Sequence, residues 1–386
     1  MPNIKKILLT GGGTGGSVSP LLAIYDELTS SSNLPLAPSL VRSGKQKNIP
    51  LLTKEGQGEV LYKFIFVGTK NGPEKSMVQK ENIEFLTIPY GKLRRYFSWK
   101  NFVDPIFIIA GFLKSLLIII KFQPDVVISA GSFSSVPVVW AAWLLRIPVL
   151  IHQQDVRPGL ANKLMAPFAK VITVTFEKSL QDYGQKAVWT GNIIRLRLKI
   201  KNQKSKIKSN LNNDLPTLLV VGGGTGSGFL NKLVEKSLSE LIKFCQIIHI
   251  TGKNKNPNYQ LPITNYQYFE FLNTDDMIEA LNKADVVVSR CGMSALTELS
   301  YLHKSSILIP MPDTHQEDNA EIFKAKEAAV ILNQKELSSK DFVEKVKRLL
   351  HDQHLRNKLG QNIKNVIKIG NNEVVEMVEE MAESRK

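Results

Sequence analysis

Cysteine is almost absent from this chain. The two present, Cys245 and Cys291, lie far apart among apolar or glycine-containing sequence and form no CxxC pair. That excludes a disulfide framework and a thiolate metal site, and it fits a reducing, cytoplasmic setting. No DxD triplet occurs, and no His, Cys, Asp and Glu residues fall at metal-ligand spacing. Neither a metal-bridged diphosphate nor any other cofactor is therefore expected. Long hydrophobic runs are missing too: the longest, residues 106–120, contains Lys114 and falls short of the roughly 20 residues that span a bilayer. Behind Lys5 and Lys6 the amino-terminal apolar run is too short for the core of an export signal. Acid is scarce as well, with 35 Asp+Glu against 50 Lys+Arg and a net charge of +15. Such a balance calls for an anionic partner, whether nucleic acid, a membrane surface or a phosphorylated substrate.

What is present is a repeated α/β pattern. With 386 residues, 43% of them hydrophobic, the chain exceeds what one core usually supports, so two domains are expected. Residues 6–10 read as a buried strand, residues 11–16 (GGGTGG) as a glycine turn, and residues 20–28 as a helix. The same order returns in residues 218–221, 222–228 (GGGTGSG) and 229–244. Strand, glycine turn and helix start form a phosphate-cradling unit. Further Val/Ile-rich runs at 64–67, 125–129, 149–152, 171–174, 247–251, 286–289 and 307–309 lack period-two polarity, as parallel strands covered on both faces do. The division expected is an amino-terminal domain over 1–194, a basic linker over 195–214 and a carboxyl-terminal domain over 215–370. Residues 195–209 hold seven Lys/Arg and no acid. Residues 33–60, rich in Pro and Gly, interrupt the first domain as a structureless surface insert.

Several blocks at strand ends carry polar chemistry. Gly11, Gly13 and Gly16 match a dinucleotide fingerprint, but the acid about 20 positions on is not convincingly placed, which weakens an NAD-dependent reading. Residues 289–298 (SRCGMSALTE) follow a strand and open a helix, which provides an anion-binding helix start with Glu298 one turn in, able to accept two ribose hydroxyls or simply to complement the helix dipole. His315 and Gln316 open another helix with groups suited to sugar hydroxyls or to capping. His152 and Asp155 end a strand, where His152 is either a catalytic group or a core histidine. Residues 92–121 interleave six Lys/Arg with Leu93, Tyr96, Phe97 and Trp99, a composition suited to an anionic interface. Single-stranded nucleic acid would use similar residues, but no nucleic-acid module surrounds them.

Taken together, residues 12–16 (GGTGG), 91–96 (GKLRRY), 152–155 (HQQD), 158–162 (PGLAN), Thr190-Gly191-Asn192 with Arg195, residues 290–298 and 315–320 resemble the MurG family of two-domain glycosyltransferases. The resemblance implies a GT-B fold, two Rossmann-like domains with parallel sheets facing across a cleft, the first completed by a helix over 371–386. It implies an inverting transfer of N-acetylglucosamine from its UDP conjugate to the 4-hydroxyl of lipid I, undecaprenyl-diphospho-N-acetylmuramoyl pentapeptide, giving lipid II for peptidoglycan. Leu272 would lie beside uracil, Met293, Ser294 and Ala295 along the diphosphate, Glu298 on the ribose and Gln316 on the sugar, with Leu296 and Thr297 also in the UDP-N-acetylglucosamine site. Thr14, Gly15, Gly16, Asp155, Arg195 and Gly224 would complete the substrate contacts. Leu93, Arg94, Arg95, Tyr96, Phe97 and Trp99 would dock the enzyme on the cytoplasmic face of the cell membrane, near other cell-wall synthesis proteins. Four positions depart from the family pattern: Ser17 replaces His, Gln153 and Asp155 replace Glu and Asn, and Gly224 replaces Ser. Asp155 or His152 is expected to assist deprotonation, with Ser17 hydrogen-bonding the acceptor. Alternatives are a UDP-sugar transferase acting on another lipid such as diacylglycerol, a UDP-N-acetylglucosamine epimerase, and an inactive UDP-sugar-binding homologue.

Overall fold

The computed structural model describes residues 3–13, 15–30, 52–54, 60–91, 100–195, 215–255 and 265–384. The chain divides into two compact units, Met1–Leu196 with Ile369–Lys386, and Arg197–Lys368.

The first unit is built on an eight-stranded sheet. Its elements run β1 (Asn3–Thr10), α1 (Ser19–Ser30), β2 (Leu52–Lys54), β3 (Val60–Gly68), α2 (Glu74–Lys80), β4 (Glu84–Thr87), α3 (Lys100–Phe122), β5 (Val126–Ser129), α4 (Ser135–Leu144), β6 (Val149–Gln153), α5 (Leu160–Met165), β7 (Val171–Val174) and β8 (Ala187–Trp189). The spatial order is β2-β3-β1-β5-β6-β7-β8, with β4 also on β3. All pairs are parallel except β2 with β3. Part of the expected structureless insert is thus a short antiparallel strand, Leu52 opposite Tyr62. The rest of the insert, 33–51 and 55–59, lies outside the described residues.

Both faces of this sheet are covered, which is why its strands read as unbroken apolar runs. Val126 and Ile128 face a core with Leu21, Leu22, Ile24 and Leu28 of α1, whereas Val127 between them faces Val138, Val139 and Ala142 of α4. The last helix, α12 (Asn371–Glu383), returns to the α1 side with Val374, Val378 and Met381. Polar ties fix it: the Asn371 carboxamide bonds Ile194 N and O at 3.0 and 2.7 Å, Tyr62 donates to Glu379 at 2.7 Å, and Lys5 meets Glu383 at 2.9 Å.

The apolar run of residues 106–120 lies inside a longer helix, α3. It has 23 residues, and Asp104–Phe122 has a mean hydropathy of 2.1, so by length and composition it could cross a bilayer. It packs instead along α4, placing Ser115 and Ile119 inward while Phe112 and Leu116 lean on the same core. Ile106, Ile109, Leu113, Leu117 and Ile120 stand exposed. Their steps of three and four put them on one side of the helix.

The second unit runs β9 (Thr217–Val221), α6 (Gly228–Leu241), β10 (Gln246–Ile250), β11 (Tyr266–Phe269), α7 (Thr274–Lys283), β12 (Val286–Ser289), α8 (Met293–Tyr301), β13 (Ser306–Leu308), α9 (His315–Ala325), β14 (Val330–Ile331), α10 (Ser339–His351) and α11 (Gln353–Lys364). Its six strands, all parallel, take the order β11-β10-β9-β12-β13-β14. Strand order reverses at β1/β5 in one sheet and β9/β12 in the other. In open parallel sheets ligands bind beyond the carboxyl ends of the strands at such switch points.

Truncating Met381 to Ala removes a side chain buried to 4% exposure and is expected to lower the unfolding free energy by about 2–5 kcal/mol. Urea titration followed by far-UV circular dichroism measures it; a change within experimental error would show that α12 contributes little to the first core.

Candidate active site

In the first unit the glycine turn after β1 is clasped by the loops around it. Ser17 Oγ donates to Gly12 O at 2.9 Å and accepts from Gly12 N at 3.2 Å. Gly13 N donates to Glu74 Oε2 at 3.2 Å, and Gln154 Nε2 donates to Gly16 O at 3.0 Å. A Cβ at Gly12 would stand 2.7 Å from Glu74 Oε1, so only glycine fits there. Two expectations are corrected. This turn is not an open phosphate cradle, because the Gly12 and Gly13 amides already have acceptors. Ser17 spends its proton on the turn itself, so it does not offer that proton to an acceptor. Thr14 lies outside the described residues, as do Leu93, Arg94, Arg95, Tyr96, Phe97 and Trp99.

The block at the end of β6 is equally committed. His152 is fully buried, with Nδ1 2.9 Å from Thr173 Oγ1 and Nε2 2.8 Å from Asn192 Oδ1. Because a carboxamide oxygen only accepts, Nε2 carries the proton and Nδ1 accepts from threonine. Burial pushes its pKa down to about 4, against a weaker opposing effect of the Asn192 bond. His152 is therefore a neutral core histidine with both nitrogens used, which corrects its assignment as a base. Gln153, where the family has Glu, donates from Nε2 to the carbonyls of Asp155 at 2.7 Å and Arg157 at 3.1 Å. A carboxylate could do neither, so the departure is built into the loop. Asp155 remains half-buried at the strand end.

Arg195 also differs from expectation. Its Nε lies 2.9 Å from Asp26 and its Nη2 2.8 Å from Glu81. Burial would lower its pKa, but the two carboxylates outweigh that and raise it. Its charge is neutralised within the first unit, so it is an anchor for the chain leaving β8 and not a free cation for a diphosphate.

In the second unit, five helix starts are closed by a side chain: Ser227, Asn273, Thr314, Ser338 and Asp352 accept from amides of α6, α7, α9, α10 and α11. The start of α8 is different. Its N-cap, Gly292, provides no side-chain bond. Ser294 Oγ is buried there without a hydrogen-bond partner. Glu298, half-buried on the same side, makes no side-chain hydrogen bond or ion pair among the described residues, and burial raises its pKa to about 7. Helical spacing explains which of the expected contacts point outward. Ser294, Ala295 and Glu298 are partly open, whereas Met293, Leu296 and Thr297 are buried, with Thr297 Oγ1 donating back to Met293 O at 2.7 Å. The Leu296 and Thr297 side chains thus belong to the core, which corrects their expected contact with UDP-N-acetylglucosamine.

Around this helix start the loops are cross-braced. Gln316 Oε1 accepts from Cys291 N at 3.3 Å and Met311 N at 3.1 Å, which leaves its amide protons facing outward from that pair. Arg290, 8% exposed, donates to Ser227 Oγ at 3.1 Å and to the carbonyls of Ile309 and Pro310 at 2.9 and 3.1 Å. It joins the ends of β9, β12 and β13. Gly224 is exposed, and a Cβ there would meet nothing within 4 Å. Leu272 is buried at 6% while its neighbour Phe271 is 63% exposed, so the Phe271 ring, not the Leu272 side chain, faces outward. Glu74 and Gln154 escape the sequence reading because the partners that tie them to the glycine turn, Gly13 and Gly16, lie 61 and 138 residues away.

Residues 54–174 match the Glycosyltransferase family 28 N-terminal domain and residues 217–374 the Glycosyltransferase family 28 C-terminal domain. The UDP-N-acetylglucosamine--N-acetylmuramyl-(pentapeptide) pyrophosphoryl-undecaprenol N-acetylglucosamine transferase of Clostridium kluyveri is 36% identical over 357 residues, covering 91% of this chain and 93% of that protein. Its namesake from Clostridium tetani is 35% identical over 385 residues, covering 97% and 98%. The chain belongs to the MurG family of glycosyltransferases. Solved structures share the fold: Acinetobacter baumannii MurG superposes with a TM-score of 0.67 at 21% identity, covering 97% of this chain and 99% of that one. A UDP-GlcNAc 2-epimerase from Neisseria meningitidis bound to UDP-GlcNAc gives the same TM-score at 14% identity, covering 97% and 100%. Fold alone therefore does not separate MurG-family transferases from epimerases; the near full-length clostridial identity does.

The buried histidines make stability depend on pH. His152 and His249 both titrate near 4 in the fold, against 6.5 ordinarily, in each case through burial. Between those values the unfolded chain binds more protons, so stability is full above about 6.5 and falls as pH drops toward 4, by up to about 3 kcal/mol per histidine. Replacing His152 with Gln is expected to flatten this slope in denaturant titrations from pH 7 to 4; an unchanged slope would rule out a neutral buried imidazole.

Proposed function

We infer that this chain transfers N-acetylglucosamine from UDP-N-acetylglucosamine to the lipid-linked N-acetylmuramoyl pentapeptide of peptidoglycan synthesis, producing lipid II, the reaction its clostridial relatives are named for. The observation that carries the donor side is the uncapped start of α8 with unpartnered Ser294 and Glu298 on one side of it. Free amides at a helix start suit a diphosphate. A carboxylate one turn further suits two vicinal hydroxyls, since it only accepts.

The donor then lies with its diphosphate along Met293, Ser294 and Ala295, its ribose on Glu298, its base at Phe271 and the Leu272 backbone, and its sugar near the outward amide protons of Gln316. Gly224 leaves room beside it. The acceptor is assigned to the strand-end loops of the first unit, including Gly15, Gly16 and Asp155. The muramoyl 4-hydroxyl attacks the anomeric carbon with inversion, the new C–O bond forms as the bond to UDP breaks, and Asp155 is the residue proposed to take the hydroxyl proton. Helix-start amides meet the charge on the leaving diphosphate, and the reading assigns no metal or organic cofactor.

Lipid substrate also accounts for α3. A row of exposed Ile and Leu side chains from residue 106 to 120, about 21 Å long at 1.5 Å per residue, is flanked by exposed Lys114 and Lys121. Such a row lies comfortably in a membrane interface whose anionic headgroups attract the lysines. Peripheral binding to the cytoplasmic face of the cell membrane follows as the proposed location.

Purified protein is expected to move labelled N-acetylglucosamine from its UDP conjugate to a short-chain lipid I analogue and not to diacylglycerol; donor binding without transfer would refute the assignment. Donor affinity is expected to weaken as pH falls below about 7, where Glu298 gains a proton and can no longer accept two hydroxyls. In Glu298→Gln, UDP binding measured by calorimetry should be weaker by about 10- to 100-fold, as loss of a charged hydrogen-bond acceptor predicts, and lose that pH dependence.

A further inference from the structure

We propose that Glu74 is the positioning residue on which the glycine turn of the first unit is folded, acting on the transfer reaction inferred above through the Gly13 amide. Glu74 opens α2 and is fully buried. Oε1 accepts from Thr69 N at 2.9 Å and from the Thr69 hydroxyl, while Oε2 accepts from Gly13 N at 3.2 Å. Two of its bonds therefore tie the end of β3 to α2, and the third crosses to the turn after β1, 61 residues away in sequence.

Space around this carboxylate is created by missing side chains. A Cβ at Gly72 would approach Glu74 Oε2 to 1.9 Å, and one at Gly12 would approach Oε1 to 2.7 Å. Glycine on both flanks lets the carboxylate reach the turn. The peptide between Gly12 and Gly13 is then held at both ends, its carbonyl by the Ser17 hydroxyl at 2.9 Å and its N–H by Glu74. That plane sets the course of the following Gly15 and Gly16, whose carbonyl is in turn taken by Gln154 beside Asp155. A buried carboxylate is unfavourable unless donors surround it, and Thr69 alone could be served by a neutral side chain. What a carboxylate supplies beyond that is an acceptor for the Gly13 N–H.

The substitution Glu74→Gln separates these roles. The carboxamide carbonyl it introduces could still accept from Thr69, but the accompanying NH2 would face the Gly13 N–H, donor against donor. Thr69→Val removes one bond to Glu74 and keeps the Gly13 contact.

Full-length parent, Glu74→Gln, Glu74→Asp and Thr69→Val are compared in the lipid I analogue assay, with UDP affinity by calorimetry and amide hydrogen exchange across residues 11–17. Expected for Glu74→Gln, and for Glu74→Asp, which is one methylene short, is a kcat lower by about 10- to 100-fold. Donor KM and UDP affinity should stay within about twofold, and the 11–17 segment should lose exchange protection. Thr69→Val should keep kcat within about threefold. Parent-like kcat in folded Glu74→Gln, or UDP affinity falling in step with kcat, would overturn the proposal. If the parent itself fails to transfer, the reaction assignment is what fails, and the exchange measurement still decides whether Glu74 holds the turn: unchanged protection would overturn that.

Discussion

A parallel strand cannot be joined to its neighbour by a hairpin; the chain must cross over the sheet, and each crossover here buries one of the two faces. Everything chemical is consequently displaced to the strand ends. The run of apolar residues in β5, with Val127 facing one core and its neighbours the other, leaves no open polar position in the middle of that strand for a site. At the ends of β1, β6, β9, β12 and β13 the chain turns outward, and there the polar residues collect. Both units obey the same constraint, and they satisfy it in opposite ways.

In the first unit the strand-end loops hold one another. Glu74, Ser17 and Gln154 together satisfy polar groups of the glycine turn, and His152 and Asn192 satisfy each other. In the second unit Arg290 and Gln316 brace the loops from beneath, and the helix start they surround is left without a cap. The first arrangement makes a shaped, rigid surface; the second leaves unsatisfied donors for a ligand to complete. Nearly identical glycine sequences thus sit in different electrostatic settings, one above a buried carboxylate and one beside open amides.

Much of this architecture was legible in the residues. Glycine turns placed directly after Val/Leu runs announced both switch points, and the unbroken apolar strands announced covered sheets. Helical spacing in residues 293–298 was enough to separate inward from outward side chains, yet the family pattern drew Leu296 and Thr297 into the site. The assignments of His152, Ser17 and Arg195 failed for one reason: a polar residue type indicates what a group can bond, and only the fold decides with what. His152 meets Asn192 across 40 residues and Arg195 meets Asp26 across 169, distances over which no local pattern operates. Glu74 was overlooked for the same cause, since its sequence position looks like an ordinary acidic first turn. In α3 the helix extends beyond the apolar run of residues 106–120 at both ends, over Asp104, Pro105 and Lys121, which are not apolar and so did not count toward the run.

The return of α12 to the first unit has a consequence for how the molecule is made. Lys5, Tyr62 and the α1 side chains wait for partners near residue 380, so the first unit to leave the ribosome is the last to be finished. At synthesis rates of about 5–20 residues per second, its α1 face stays uncovered for on the order of tens of seconds while the second unit, contiguous in sequence, can complete its own core. Translation that stops short by one helix therefore yields a chain whose later half is whole and whose earlier half is not.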